Sequence, residues 1–68
     1  MEIDKQDGRD RKNIQVGSQV AVVQKHDQRT GKLTKGIVQR ILTNSAHHPH
    51  GIKVRLESGV VGRVKKLL

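Results

Sequence analysis

Three of the four histidines lie in one short stretch, together with the only proline. His47, His48 and His50 belong to the run TNSAHHPH, residues 43–50, whereas His26 lies apart. Imidazole is the commonest metal-binding side chain. A closed zinc site takes four nitrogen, sulfur or oxygen ligands, and this stretch has no cysteine and no carboxylate. We therefore expect no metal. His48 or His50 is expected either to hydrogen-bond backbone carbonyls of the loop or to contact phosphate or base edges.

The same stretch contains a possible nucleophile and base. Ser45 and His48 are close in sequence, and a serine hydroxyl activated by a histidine is a common nucleophilic pair. Nothing marks a third group that would orient the histidine, an oxyanion site, or a phosphate-binding glycine loop. We expect the protein not to be an enzyme and to need no cofactor.

Residues 43–45, Thr-Asn-Ser, allow two interpretations. Their side chains and backbone could donate hydrogen bonds to a phosphate, or they could satisfy their own turn, as such residues often do. Asn44 is therefore a candidate loop contact beside His48 and His50.

The charge is distributed unevenly along the chain. The net charge is +8, and residues 1–13 contribute nothing to it, because they hold four acids and four bases. Residues 14–68 hold ten bases and only two acids. Such an imbalance is the electrostatic footprint of a nucleic-acid binder. The alternative is a surface whose charge only keeps the protein in solution.

Basic residues recur at every second position near the C-terminus. Lys53 and Arg55 point to one side of a strand, and Arg63 and Lys65 do the same on the next. If these strands pair, like charges lie together at a cost in stability, which suggests an anionic partner. The candidate nucleic-acid contacts are Lys53, Arg55, Arg63 and Lys65, extended by Arg40 and Lys66, with a second lobe formed by Arg29, Lys32 and Lys35.

The chain contains no Phe, Trp or Tyr. Its core must therefore consist of Val, Ile and Leu. Aromatic grooves for proline-rich peptides, aromatic cages for methyl-lysine and aromatic platforms for single-stranded bases are excluded in their usual forms. We expect readout of the shape and backbone of a nucleic acid, RNA in preference to DNA, with little sequence preference.

The hydrophobic pattern predicts short strands separated by turns. Val20 and Val22 share one face, and residues 51–56 alternate cleanly between apolar and basic. Residues 36–42 fit either a bulged strand or a helix, and their β-branched composition favours the strand. Gly62 is expected to allow another strand to cross closely. The predicted strands are 18–25, 36–42, 51–56 and 60–68.

These elements predict an all-β fold, a small SH3-like (KOW-like) antiparallel barrel of four to five strands over residues 14–68. Residues 1–13 are polar and are predicted to form a flexible tail. No apolar run approaches the length that a membrane span needs, and the N-terminus does not resemble a secretory signal. We expect a cytoplasmic monomer.

A series of residues extends over nearly the whole predicted barrel. It comprises HPHGIKV at 48–54, LTNS at 42–45, GRV at 62–64, and Arg11, Ile14, Gly17, Val20, Val23, Lys25, Asp27, Gln28, Thr30, Gly31, Leu33, Thr34, Gly36 and Val38. On these residues the chain resembles the small YwbE-like family of bacterial proteins. This resemblance brings no catalytic or binding residues to carry over.

A looser resemblance concerns KOW-type and other SH3-like barrels of ribosomal proteins and transcription elongation factors. It depends on Gly17, Val20, Val22, Val23, Gly36, Val38 and Ile41. It implies a barrel that binds RNA, or a protein within an RNA assembly. The long loop over residues 25–36 and the histidine-rich loop depart from the KOW pattern.

The sequence also allows a second function. The dense run of special residues over 42–54 exceeds what a turn requires. It is compatible with a protein-interaction module that docks on a ribosomal or other ribonucleoprotein assembly.

Overall fold

Four antiparallel strands close into a barrel in the computed structural model, which describes residues 8–68. Each strand pairs with its neighbours in sequence, and the last strand also pairs with the first. The all-β prediction is confirmed, with four strands, and the arrangement is consistent with a small SH3-like barrel. The strands are β1 (Gln19–Val23), β2 (Thr34–Ile41), β3 (Lys53–Leu56) and β4 (Val61–Leu67).

Within residues 8–68, the helical structure consists of two short 3₁₀ turns, Arg11–Asn13 and Lys25–Asp27. Because Lys25 belongs to the second turn, β1 ends at Val23 and not at Lys25 as predicted. Among residues 8–68, no helix has the length and apolar character that crossing a membrane requires.

Aliphatic side chains alone fill the barrel, as the lack of aromatic residues requires. Val20 and Val22 of β1 are fully buried, which confirms that they share the inner face. Each buried side chain of this kind contributes about 1.5–3 kcal/mol relative to an exposed one. The core cluster comprises Ile14, Val20, Val22, Val38, Ile52, Val54, Leu56 and Val64.

A bulge in β2 explains its irregular apolar pattern. Val38 pairs with Leu56, but Ile41 pairs with Val54, because the register shifts between residues 38 and 40. One extra residue on the bulged strand therefore brings Val38 and Ile41 to the same inner side although they are three positions apart. The bulged-strand prediction is confirmed, and the helical alternative for this segment is wrong.

Gly62 lies where β4 passes close to β1. A Cβ atom on Gly62 would lie 2.8 Å from the carbonyl oxygen of Val23 and 2.9 Å from Cγ2 of Val22. No side chain fits in that space. The predicted close approach at this glycine is confirmed.

Residues 8–13 pack against the barrel. The carbonyl oxygen of Gly8 accepts a hydrogen bond from the Ile52 N–H at 2.8 Å, and that of Arg9 accepts one from the His48 N–H at 2.9 Å. The Arg11 N–H donates to the carbonyl oxygen of Ala46 at 2.8 Å. The packed structure thus begins before the predicted boundary at residue 14, since this segment pairs through its backbone, which polar composition does not reveal. Residues 1–7 of the predicted tail lie outside the described residues.

Candidate nucleic-acid interface

The β3–β4 ladder brings the predicted basic residues together. Lys53 lies directly opposite Arg63, and Arg55 lies opposite Val61. The two strands pair across the turn at residues 57–59, as expected. Directly opposed residues in an antiparallel pair have Cβ atoms about 4.5–5.5 Å apart. Lys53 and Arg63 therefore form a like-charged pair on the outer face.

Two further groups of basic residues lie on the same outer surface of the sheet. The bulge in β2 places Arg40 opposite Arg55. On β1, Ala21 lies between Lys35 of β2 and Lys66 of β4. Four more of the predicted contacts thus belong to cross-strand rows of basic residues.

A groove lies beside Arg63 on the outer face. It consists of two adjoining clefts of about 450 and 460 Å³ that share Val23, Gln28 and Arg63 as lining residues. The first cleft extends to His50 and the second to Val61. Four cationic side chains line the two clefts, and we call the pair of clefts the basic groove: Lys25, Lys53, Arg63 and Lys65.

The basic groove has no balancing acid among the described residues that line it. Lys25, Lys53 and Lys65 are exposed, and Arg63 is half-buried. Like charges gathered in a concave surface focus a positive potential that attracts anions. The arrangement can therefore accept phosphate groups without first breaking an internal ion pair at the groove.

A tight turn at residues 48–51 borders the first cleft. The Gly51 N–H donates to the carbonyl oxygen of His48 at 3.0 Å, which closes the turn. Pro49 occupies the second position, where its fixed φ favours a turn. The His50 N–H donates to Nδ1 of the His48 ring at 3.1 Å. The run His-Pro-His-Gly is thus a self-satisfied turn, which we call the HPHG turn.

Gly51 is required at the end of the HPHG turn. Its φ is +105°, and a Cβ atom there would lie 2.5 Å from the carbonyl oxygen of Val64. No other residue combines that backbone conformation with so close an approach. The turn therefore lies tightly against β4.

The HPHG turn also holds two cations of the basic groove. The Arg63 NH1 group donates to the carbonyl oxygen of Gly51 at 3.1 Å, and the Lys65 Nζ donates to that of His50 at 3.2 Å. A guanidinium carries five N–H donors and an ammonium three. Both side chains are therefore positioned by the turn while they retain donors for a ligand.

The surroundings of the His48 ring favour its neutral form. Its partial burial lowers the pKa below the ordinary value of 6.5, and the positive charge of Arg63 and the nearby rings of His50 and His47 lower it further. The ring centroids of His48 and His50 are 5.8 Å apart. The neighbouring His47 instead places Nδ1 2.7 Å from the Asp10 carboxylate on the surface.

The histidine expectations are met only in part. His48 does fasten its loop through a backbone hydrogen bond, but its ring accepts from an N–H and does not donate to a carbonyl as predicted. A ring nitrogen beside a backbone N–H can only be the acceptor. Within residues 8–68, no group of three or more His, Cys, Asp or Glu side chains is arranged to hold a metal ion.

The loop before β3 satisfies part of its own hydrogen bonding. The Thr43 hydroxyl accepts the Lys53 N–H at 2.8 Å, and the carbonyl of Lys53 accepts from the Thr43 N–H at 3.3 Å. Asn44 and Ser45 are exposed in this loop. Thr43 is therefore satisfied by pairing with Lys53 of β3 and not by a turn within residues 43–45, and Asn44 lies where a ligand can reach it.

The predicted second lobe is divided between two elements. Arg29 and Lys32 are exposed in the loop before β2, whereas Lys35 belongs to β2 itself. Neither Arg29 nor Lys32 is among the residues that line the basic groove.

Two polar residues that line the basic groove, Lys25 and Gln28, are not among the predicted site residues. The pattern places Lys25 at the end of a predicted strand. The structure puts Lys25 at the start of the second 3₁₀ turn and Gln28 directly after it, with the Gln28 N–H donating to the Lys25 carbonyl at 3.3 Å. The only signal in the sequence was the position of Lys25 between a strand and a loop already rich in basic residues.

The fold and the basic groove together define a small basic β-barrel with an exposed, uncompensated cationic surface. The chain belongs to the family described as "Uncharacterized conserved protein (DUF2196)", which it matches over residues 7–67. It is 56% identical over 61 residues to the Bacillus subtilis (strain 168) protein named "Uncharacterized protein YwbE". That match covers 90% of this chain and 94% of the relative. The YwbE-like resemblance is confirmed. No solved structure shows a significant match.

Proposed function

We propose that this protein binds RNA through phosphate contacts made by the basic groove and by the basic residues around it. The observation that carries the proposal is the convergence of four cations on one groove whose described lining contains no acid. Lys and Arg side chains supply most phosphate contacts in nucleic-acid complexes. The resemblance to KOW-type barrels favours RNA over DNA.

The cost of the charge arrangement supports an anionic partner. Lys53 faces Arg63, and Arg40 faces Arg55. Each pair of opposed like charges destabilises a sheet by roughly 0.2–1 kcal/mol. A bound phosphate backbone would offset this repulsion, whereas a surface that serves only solubility gains nothing from placing its cations opposite one another.

The lack of aromatic residues limits the ways in which the protein can recognise RNA. Without aromatic rings, bases have no usual stacking platform. Residues 8–68 also contain no long helix that could enter a groove of a duplex. Binding is therefore expected to depend on the backbone and shape of a structured RNA, with weak dependence on sequence.

A salt titration tests the proposal. The affinity for a labelled RNA hairpin is measured at several salt concentrations, and counterion release predicts a steep linear fall of log K with log salt. A slope with a magnitude of several would support phosphate contacts by several cations. Undetectable binding at about 50 mM salt would overturn the proposal, because the electrostatic contribution is strong at that concentration.

A pair of double variants tests whether the groove is the site. Lys25→Gln with Lys53→Gln removes two groove cations, and Arg11→Gln with Lys12→Gln removes two exposed charges on the first 3₁₀ turn. Both reduce the net charge equally. The groove variant should lower the magnitude of the salt slope by about 2 and weaken binding to all RNA sequences alike. Equal losses in the two variants would show that only the overall charge matters.

Docking on a protein is the other outcome to be distinguished. Contacts within the HPHG turn and with β4 explain why the sequence has His48, Pro49 and Gly51. A protein partner is not needed to explain them. Affinity purification from the native cell, with and without nuclease, separates the two functions. A partner that is lost with nuclease supports the RNA proposal. A protein partner that resists nuclease, combined with no RNA affinity, would replace it.

A further inference from the structure

We infer that the basic groove receives one unpaired nucleotide of the RNA, with its base against Val23 and Arg63 and its phosphates on the flanking lysines. This inference rests on the proposed function and specifies what occupies the groove. An unpaired nucleotide occurs at a bulge, a loop or a strand end, where the base can leave the stack.

The first reason is the apolar surface inside a charged groove. Val23 lines both clefts as an almost fully buried floor, and the half-buried Val61 adds apolar surface to the second cleft. A phosphate gains nothing from contact with valine. The flat face of a base does, since its burial against an apolar side chain removes surface from water.

The second reason is size. Each cleft has a volume of about 450 or 460 Å³, within the range of roughly 300–1,000 Å³ that is typical of small-molecule sites. A phosphate on a duplex backbone requires only a cation at the surface. A concave space of this size is suited to a larger group such as a nucleoside.

The third reason is the polar edge provided by Gln28. Gln28 is exposed and lines both clefts, and its backbone N–H donates to the Lys25 carbonyl at the end of the 3₁₀ turn. A carboxamide offers a donor and an acceptor together. That pair matches the adjacent donor and acceptor that base edges present, which a phosphate lacks.

Arg63 supplies the surface that aromatic rings provide elsewhere. Its NH1 group is held by the carbonyl oxygen of Gly51 at 3.1 Å, which restrains the orientation of the guanidinium plane. Guanidinium planes stack on nucleic-acid bases. A restrained plane loses less conformational entropy on binding than a free arginine.

The cations on the two sides of Arg63 define the path of the RNA strand through the groove. Lys65 lines the first cleft, and Lys25 and Lys53 line the second. A nucleotide beside Arg63 would thus have a lysine near the phosphate on either side. In a continuous duplex the bases stay paired inside the helix, so its backbone could use these lysines but would leave Val23 and Gln28 without a ligand.

Three RNAs that differ at one position test the inference. The first is a blunt-ended, fully paired duplex without a loop, the second carries one bulged nucleotide in one strand, and the third carries an abasic residue at that bulge. The bulged RNA should bind about tenfold more tightly than the other two, roughly the effect of one stacked base. The bulged RNA should shift the backbone amide resonance of Val23 more than the abasic RNA does.

The outcomes separate the inference from the proposed function. Equal binding of all three RNAs, or of the bulged and abasic RNAs, would overturn the inference while leaving RNA binding in place. Failure of all three to bind would overturn the proposed function itself, and the inference with it.

A matched pair of glutamine variants tests the base contact. Gln28→Ala should weaken binding of the bulged RNA roughly three- to tenfold, the loss of about one hydrogen bond. Gln15→Ala changes an exposed glutamine that does not line the groove and should have no effect. If Gln28→Ala weakened the abasic RNA equally, the side chain would not contact the base and the inference would fail.

Discussion

The ring of His48 accepts a hydrogen bond at Nδ1 from the backbone N–H of His50, over a distance of 3.1 Å. Pro49 lies between the two residues. The Nδ1 atom of His48 thus accepts from the N–H two residues on, as the side-chain oxygen of an Asn or Asp does in a turn with proline at the next position. A protonated imidazole carries hydrogens on both nitrogens and cannot accept this bond. This hydrogen bond of the HPHG turn therefore forms only with neutral His48.

The first prediction is that acid weakens the fold through His48. Its pKa in the folded protein lies below the ordinary value of 6.5. Between these two pKa values the unfolded chain binds more protons, so the free energy of unfolding falls as the pH drops. The contribution of this group should be complete above pH 6.5 and lost below the folded pKa. Urea unfolding at a series of pH values measures it.

His48→Asn provides the control for this measurement. The asparagine oxygen can accept the same N–H but does not titrate. The charged and titratable neighbours Arg63, His50, His47 and Asp10 remain in both proteins, so their effects cancel in the comparison. The variant should lose less stability on acidification than the native protein. Parallel pH profiles would show that His48 does not contribute.

The second prediction concerns Gly51. Gly51→Ala should destabilise the protein by about 2–4 kcal/mol, from the unfavourable positive φ and the overpacking against Val64. Gly17→Ala is the matched control, since Gly17 has a φ of +97° but nothing within 4 Å of an added Cβ. Thermal unfolding of both variants gives the cost of the contact by difference. Equal losses would mean that β4 moves away from the turn freely.

The third prediction concerns the N-terminal segment. A chain that begins at Ile14 should be less stable than one that begins at Gly8 by about 2–4 kcal/mol. It loses the three backbone hydrogen bonds that join the segment to residues 46–52, each with a net value of about 1 kcal/mol, and the N–H groups of Ile52 and His48 lose their acceptors. Denaturant unfolding of the two chains measures the difference. Equal stability would confine the cooperative unit to residues 14–68.

The barrel was predictable because its determinants are local. The alternation of apolar and basic residues at 51–56 identifies β3 and its faces, and the two apolar faces of residues 36–42 indicate the bulge in β2. Pairing across residues 57–59 then places Lys53 beside Arg63 with no further information.

The basic groove was not predictable because its parts come from distant segments. Lys25 and Gln28 reach it from a 3₁₀ turn that the sequence pattern did not reveal. His50 reaches it from a turn whose conformation depends on the approach of Gly51 to Val64. Periodicity describes one element at a time and contains no information on how two loops meet across a strand.

The last prediction separates stability from function at one residue. Arg55→Glu replaces a repulsive pair with Arg40 by an attractive one. Because opposed charges of unlike sign stabilise a sheet and like charges destabilise it, the variant should be more stable by roughly 0.2–1 kcal/mol at low salt. In a domain of this size, that corresponds to a rise in Tm of roughly 1–8 °C.

The same substitution should weaken RNA binding and lower the salt slope, since it removes a cation and adds an anion beside the phosphate backbone. Arg29→Glu makes the same charge change in a loop outside the strands and should alter stability by less than about 0.5 kcal/mol. Opposite signs for stability and affinity at Arg55 would show that the repulsion is tolerated for binding. If Arg55→Glu stabilised the fold and left RNA affinity intact, this part of the outer face would have no role in phosphate contact.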